Sequence, residues 1–149
     1  MDIYPLVAAA AGRYDLPATL LLAMLIAESG LNRTAARYGE WPDVSFGYCQ
    51  MIVATAAGYG IGDGTNTAAN IAAVRDALFD RERAIDVGAR HLAGCWAEAT
   101  PYADRELQAL IAYNSGSCQP EGNWYWQRYG GNVNAYRAAL ARARAMLAP

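Results

Sequence analysis

The sequence predicts a mainly α-helical domain with a small β-hairpin or irregular loop, and three observations carry that reading. Alanine is very frequent, which favours helix. Apolar residues recur at helical spacing in several segments. Glycine, proline and aromatic residues gather into the stretches between those segments, and β structure is expected only in the stretch before Gln50. The chain has 149 residues, 54 % of them hydrophobic and 17 % charged, which suits one domain with a real core, residues 1–149.

The first helix is expected from about Tyr4 to Tyr14, where Ile3, Leu6, Val7, Ala10 and Tyr14 share a face. Asp15-Leu16-Pro17 stops it and starts the next, since proline suits a first helical turn. The second helix runs to Ser29, and Gly30 suits a left-handed carboxy-terminal cap. Residues 32–48 are polar and irregular and read as a long loop with a short hairpin near Ser45 to Cys49. A short helix is expected over Met51–Ala57, followed by the glycine-rich loop 58–64. Arg81–Trp96 is a strong helix, with Ile85, Ala89, Leu92 and Trp96 in register. Another follows from Asp104 to Tyr113, with Leu107, Leu110 and Ile111 inward. Ser117–Gly131 reads as an aromatic-rich loop, and Val133–Leu147 as the last helix, with Val133, Tyr136, Leu140 and Leu147 inside.

Composition excludes several functions. All 12 basic residues are arginine, the formal net charge is -2, and no basic block appears, so a nucleic-acid partner has no electrostatic support. Cys49, Cys95, Cys118 and the lone His91 do not have metal-site spacing, and no metal or cofactor is expected. The cysteines are either three reduced thiols or a Cys95–Cys118 pair with Cys49 left over. No apolar run reaches the ~18 residues of a membrane span, so no membrane insertion is expected. The amino terminus carries no basic residue before Arg13 and does not read as a signal peptide.

The chemistry centres on one acid. Thr19 to Ala27 reads T-L-L-L-A-M-L-I-A and ends on Glu28. A run this short belongs in a soluble core, so it delivers a carboxyl group to the edge of that core. Loss of water disfavours the charged form and raises a carboxyl pKa. A carboxyl still protonated near neutral pH is what a general acid requires. Alone, the glutamate reads better as a helix-end carboxylate facing water.

Three downstream motifs change that balance: Ser45-Phe46-Gly47-Tyr48-Cys49-Gln50-Met51, Ala112-Tyr113-Asn114-Ser115-Gly116, and Tyr136 within Asn134-Ala135-Tyr136-Arg137. With Glu28-Ser29-Gly30 in front, this ordered set resembles the lysozyme-like soluble lytic transglycosylases (the SLT domain), relatives of the goose-type lysozymes. That family's G-L-M-Q motif stands here as Gly47-Tyr48-Cys49-Gln50. The stretch Asp80 to Leu92 matches its D-x-x-x-N-I-x-x-G-A-x-x-L pattern, with Ala84 in place of asparagine. Two departures stand out. Tyr48-Cys49 replaces Leu-Met, and the stretch from Glu28 to Gln50 is several residues longer, bringing in Glu40, Trp41 and Asp43.

The resemblance implies a lysozyme-like fold and cleavage of peptidoglycan glycan strands, with Glu28 as catalytic acid and base. It implies substrate contacts from Ser45, Tyr48, Gln50, Tyr113, Asn114 and Tyr136. Trp124, Tyr125 and Trp126 either stack on sugar rings or pack beneath their loop. Without a second carboxylate the product is a 1,6-anhydro sugar. With one, such as Asp43 or Glu40, it is hydrolysis. A non-catalytic glycan-binding or structural component is the third reading. The expected setting is a phage virion acting on the bacterial wall in the periplasm, or a secretion or conjugation apparatus. Other proteins of that particle or apparatus are the partners this setting offers.

Overall fold

The computed structural model describes residues 2–148. Seven α-helices and three short strands are found among the described residues. They form two compact units. One comprises the described residues of Met1–Ala27 and Ala89–Pro149, and the other Glu28–Gly88.

In the first unit, α1 (Tyr4–Arg13) has a proline in its first turn and buries Val7, Ala10 and Ala11. The apolar run forms α2 (Ala18–Ser29), whose Leu20 to Leu25 are all buried. A helix apolar on every side belongs at the centre of a core, and Leu20, Leu21, Leu22, Met24 and Leu25 are each 0 % exposed. The expected left-handed cap is present, with Gly30 at φ +62°. The helix α5 (Arg81–Glu98), whose residues from Ala89 onward belong to this unit, runs two residues beyond the predicted end. Arg105 holds that end, bonding the Trp96 carbonyl through Nε and Nη2 at 3.1 and 2.9 Å while its guanidinium stacks on the Trp96 ring.

Asp104 caps α6 (Arg105–Ser115) rather than lying in it, and Leu107, Leu110 and Ile111 are buried as expected. Gly116, at φ +84°, ends that helix. The last helix, α7, spans Trp124–Leu147, so the aromatic stretch assigned to a loop is helical from Trp124 onward. Asn123 explains the early start, since its side chain accepts the N–H groups of Tyr125 and Trp126. Tyr125, only 1 % exposed, then anchors the first turn in the core. Tyr129 departs from helical geometry and kinks α7 just before Gly130-Gly131. Val133, Tyr136 and Leu140 face inward as expected.

The second unit holds a three-stranded antiparallel sheet in the order β1-β2-β3. β1 (Ala36–Tyr38) pairs with β2 (Val44–Phe46), which pairs with β3 (Met51–Ile52). The sheet extends past Gln50, where only helix was expected, and α3 is confined to Val53–Ala57. All three β2 residues are buried. Phe46 packs edge-on against Tyr38 and Phe79, with ring centroids 5.4 and 6.1 Å away. The residue Phe79 ends α4 (Ala68–Phe79), a helix to which the sequence reading assigned nothing. Thr67 caps it by accepting the Asn70 N–H, and Asn70, Val74 and Leu78 form its buried side.

Candidate active site

Glu28 sits in the last turn of α2 and is partly buried. Burial pushes its carboxyl pKa from 4.5 up to about 7, although the Arg37 guanidinium pulls it downward. Desolvation therefore wins, and the group carries its proton across the mildly acidic range. This perturbation is what the sequence reading required of the acid.

Ser45, Tyr48 and Gln50 lie in the same unit as Glu28, at the β2–β3 turn. Gln50 is held in the left-handed region at φ +44°, which strains a residue bearing a Cβ. Its amide fixes that conformation from three sides. Oε1 accepts the Ser45 hydroxyl at 3.1 Å, and Nε2 donates to the Ala35 and Gly47 carbonyls, each at 3.1 Å. Gly47, at φ +78°, passes so close to α4 that an added Cβ would lie 2.2 Å from the Leu78 carbonyl oxygen. Only glycine fits there. The S-x-G-x-x-Q pattern thus first builds a rigid turn. Both amide protons of Gln50 are engaged in it, leaving lone-pair capacity on Oε1 and on Ser45 Oγ for any ligand. Tyr48 is 6 % exposed and packs into the same turn.

Tyr113, Asn114 and Tyr136 belong to the other unit. Tyr113 is partly exposed near the end of α6, and its ring meets His91 of α5 edge-on at 5.0 Å. Burial lowers the His91 pKa, so that ring is neutral at pH 7. Asn114 is exposed and accepts the Tyr125 hydroxyl at 2.9 Å through Oδ1. Tyr136 is 5 % exposed, on the inner side of α7. The aromatic group divides. Tyr125 is core, Trp126 donates Nε1–H to the Gln119 carbonyl at 2.8 Å, and Trp124 stays 58 % exposed.

The two loop acids differ from Glu28. Asp43 is ion-paired to Arg37 at 3.5 Å with its side chain 59 % exposed, and Glu40 is exposed. Sequence reading missed Arg37, whose charge acts on Glu28. No motif marks it, because its significance comes from the fold of β1. It also missed Tyr125 as the support of Asn114. Cys49, Cys95 and Cys118 are buried and form no disulfide. Burial, with Glu98 nearby, pushes Cys95 to about 12 and Cys118 to about 11, so neither is a ready nucleophile. Among the described residues no group of three or more His, Cys, Asp or Glu could hold a metal ion, and no helix is long and apolar enough to cross a membrane.

The mainly helical fold with its small antiparallel sheet is consistent with a lysozyme-like domain. The family model of the transglycosylase SLT domain matches residues 5–136, and the chain belongs to that family. Its members act on peptidoglycan. Searches of curated proteins and of solved structures returned no significant match.

Proposed function

We propose that the protein is a peptidoglycan lytic transglycosylase with Glu28 as its single acid and base. The observation that carries this is the Glu28 carboxyl, pushed to about 7 by burial at the end of α2. Cleaving the MurNAc-β-1,4-GlcNAc bond requires a proton on the departing oxygen as positive charge develops at C1. Glu28 gives that proton. The 2-acetamido group of the muramic acid stabilises C1. The C6 hydroxyl of the same sugar then attacks C1 and returns its proton to the ionised Glu28. One C–O bond breaks and one forms, no water is consumed, and the acid is regenerated.

The supporting roles we assign draw on the geometry within each unit. The Gln50 turn fixes the rim of the sheet, and Ser45 Oγ and Gln50 Oε1 offer acceptors to sugar hydroxyls. Tyr48 forms part of the wall beneath them. Tyr113 and Asn114, near the end of α6 in the other unit, are polar groups that we assign to glycan contacts. Tyr136, mostly buried, positions its neighbours. The substrate places the activity at the bacterial wall, and a phage particle or secretion apparatus that must breach that wall is the setting we propose.

A hydrolase using Asp43 is the competing reading. Asp43 is largely solvated and engaged with Arg37, which suits it poorly as a second catalytic carboxylate. Mass spectra of muropeptides released from purified peptidoglycan separate the two. Anhydro products, lighter by one water, are expected from the native protein and none from Glu28→Gln. Hydrated reducing ends alone would overturn the transglycosylase assignment. Undiminished release by the variant would remove Glu28 from the mechanism.

A further inference from the structure

Arg37 occupies the middle of β1, opposite Ser45 of β2. Two residues before it, the Ala35 carbonyl accepts the Gly47 N–H at 2.8 Å and Gln50 Nε2 at 3.1 Å, which fixes the root of the strand. The side chain itself stays 67 % exposed. Its ion pair with Asp43 is a 3.5 Å approach of Nη2 to Oδ2, in solvent on both sides. Such a pair contributes little to stability and opens readily. The electrostatic reach of this cation extends to Glu28. A planar guanidinium is thus loosely held on a rigid strand within the field of the proposed proton donor.

From this placement we infer that Arg37 is a binding site for a carboxylate carried by the glycan strand, with Asp43 occupying it until substrate arrives. The inference rests on the transglycosylase reading and adds a recognition element to it. Muramic acid carries a lactyl group, whose carboxylate is free when the peptide stem is absent. When the stem is present, its peptide supplies carboxylates instead. Either matches the two-pronged geometry of guanidinium better than it would match an ammonium. The chain has net charge -2, so long-range attraction to an anionic wall is lacking and a local cation must provide the contact. Both Arg37 and Asp43 lie in the stretch between Glu28 and Gln50.

The test uses fluorescence anisotropy with labelled glycan strands in a Glu28→Gln background, so that strands persist. Three strands are compared: stem-bearing, stripped of stems, and stripped with the lactyl carboxyls converted to amides. The parent is expected to bind at least one carboxylate-bearing strand about threefold to tenfold more tightly than the amidated strand. Arg37→Gln abolishes that difference while binding the amidated strand as the parent does. Arg37→Lys restores part of it, and Asp43→Asn strengthens binding of the carboxylate-bearing strand about twofold. The strand that shows the Arg37 dependence identifies the carboxylate as lactyl or stem. Equal binding of all three strands by Arg37→Gln and the parent overturns the site. So does an equal loss on the amidated strand. A parent that binds no strand fails differently, by overturning the glycan-cleaving function itself. An unchanged thermal midpoint for Arg37→Gln is expected, since the residue is exposed.

Discussion

Replacing Glu28 by glutamine is expected to abolish lysis and, above pH 7, to stabilise the fold. The magnitude follows from the carboxyl itself. Its pKa is 4.5 when solvated, as in the unfolded chain, and about 7 in the folded protein. Below 4.5 both states hold the proton and the group contributes nothing to pH dependence. Between 4.5 and 7 the folded protein keeps a proton that the unfolded chain releases, so folding stability falls as pH rises. Above 7 both states are ionised and the loss is complete. At about 1.4 kcal/mol per pH unit this interval corresponds to about 3 kcal/mol. Glutamine keeps the shape without the charge and removes that loss. Urea unfolding of both proteins at pH 4.5, 6 and 8 reads the difference. The variant's advantage should grow by about 3 kcal/mol across the series. Parallel stability curves would refute the claim that burial raises the Glu28 pKa.

The remaining predictions address the site and its scaffold. The alkaline limb of kcat/KM should have its midpoint near pH 7, with activity falling about tenfold per unit beyond it, because the acid must be protonated. Arg37→Gln should move that midpoint upward, since Arg37 pulls the pKa down, and a profile flat from pH 5 to 9 would count against Glu28 as the acid. Gln50→Ala removes three hydrogen bonds but keeps a left-handed backbone with a Cβ, and should cost about 2–3 kcal/mol in urea unfolding. Asn114→Ala strands the hydroxyl of nearly buried Tyr125 and should cost about 1–3 kcal/mol, whereas Tyr125→Phe should cost less because no unpaired donor remains.

The fold was legible where local chemistry and tertiary packing agree. The α2 run, its glycine cap and the alternation within α5 and α6 all declare themselves through spacing alone. Two helices escaped for different reasons. In α4 the apolar positions Val74 and Leu78 are sparse among alanines and polar residues, and the Thr67 cap before them was the available signal. In the first turns of α7, aromatics beside Gly130-Gly131 look like loop, and only the burial of Tyr125 and the Asn123 cap make them helical. The short strands are set by pairing between residues far apart in sequence, which no local pattern specifies. At the site, Glu28 could be read because its apolar run predicts its desolvation. The Gln50 lock could not, since one of its partners is the Ala35 carbonyl, fifteen residues away. Arg37 was hidden in the same way, as its reach to Glu28 exists only once β1 has formed.

Titration of the Glu28 side-chain carboxyl carbon by NMR, assigned by comparison with Glu28→Gln, tests the central claim most directly. The proton that the mechanism donates should leave with a midpoint near pH 7. A midpoint near 4.5, the value of a solvated glutamate, would contradict it.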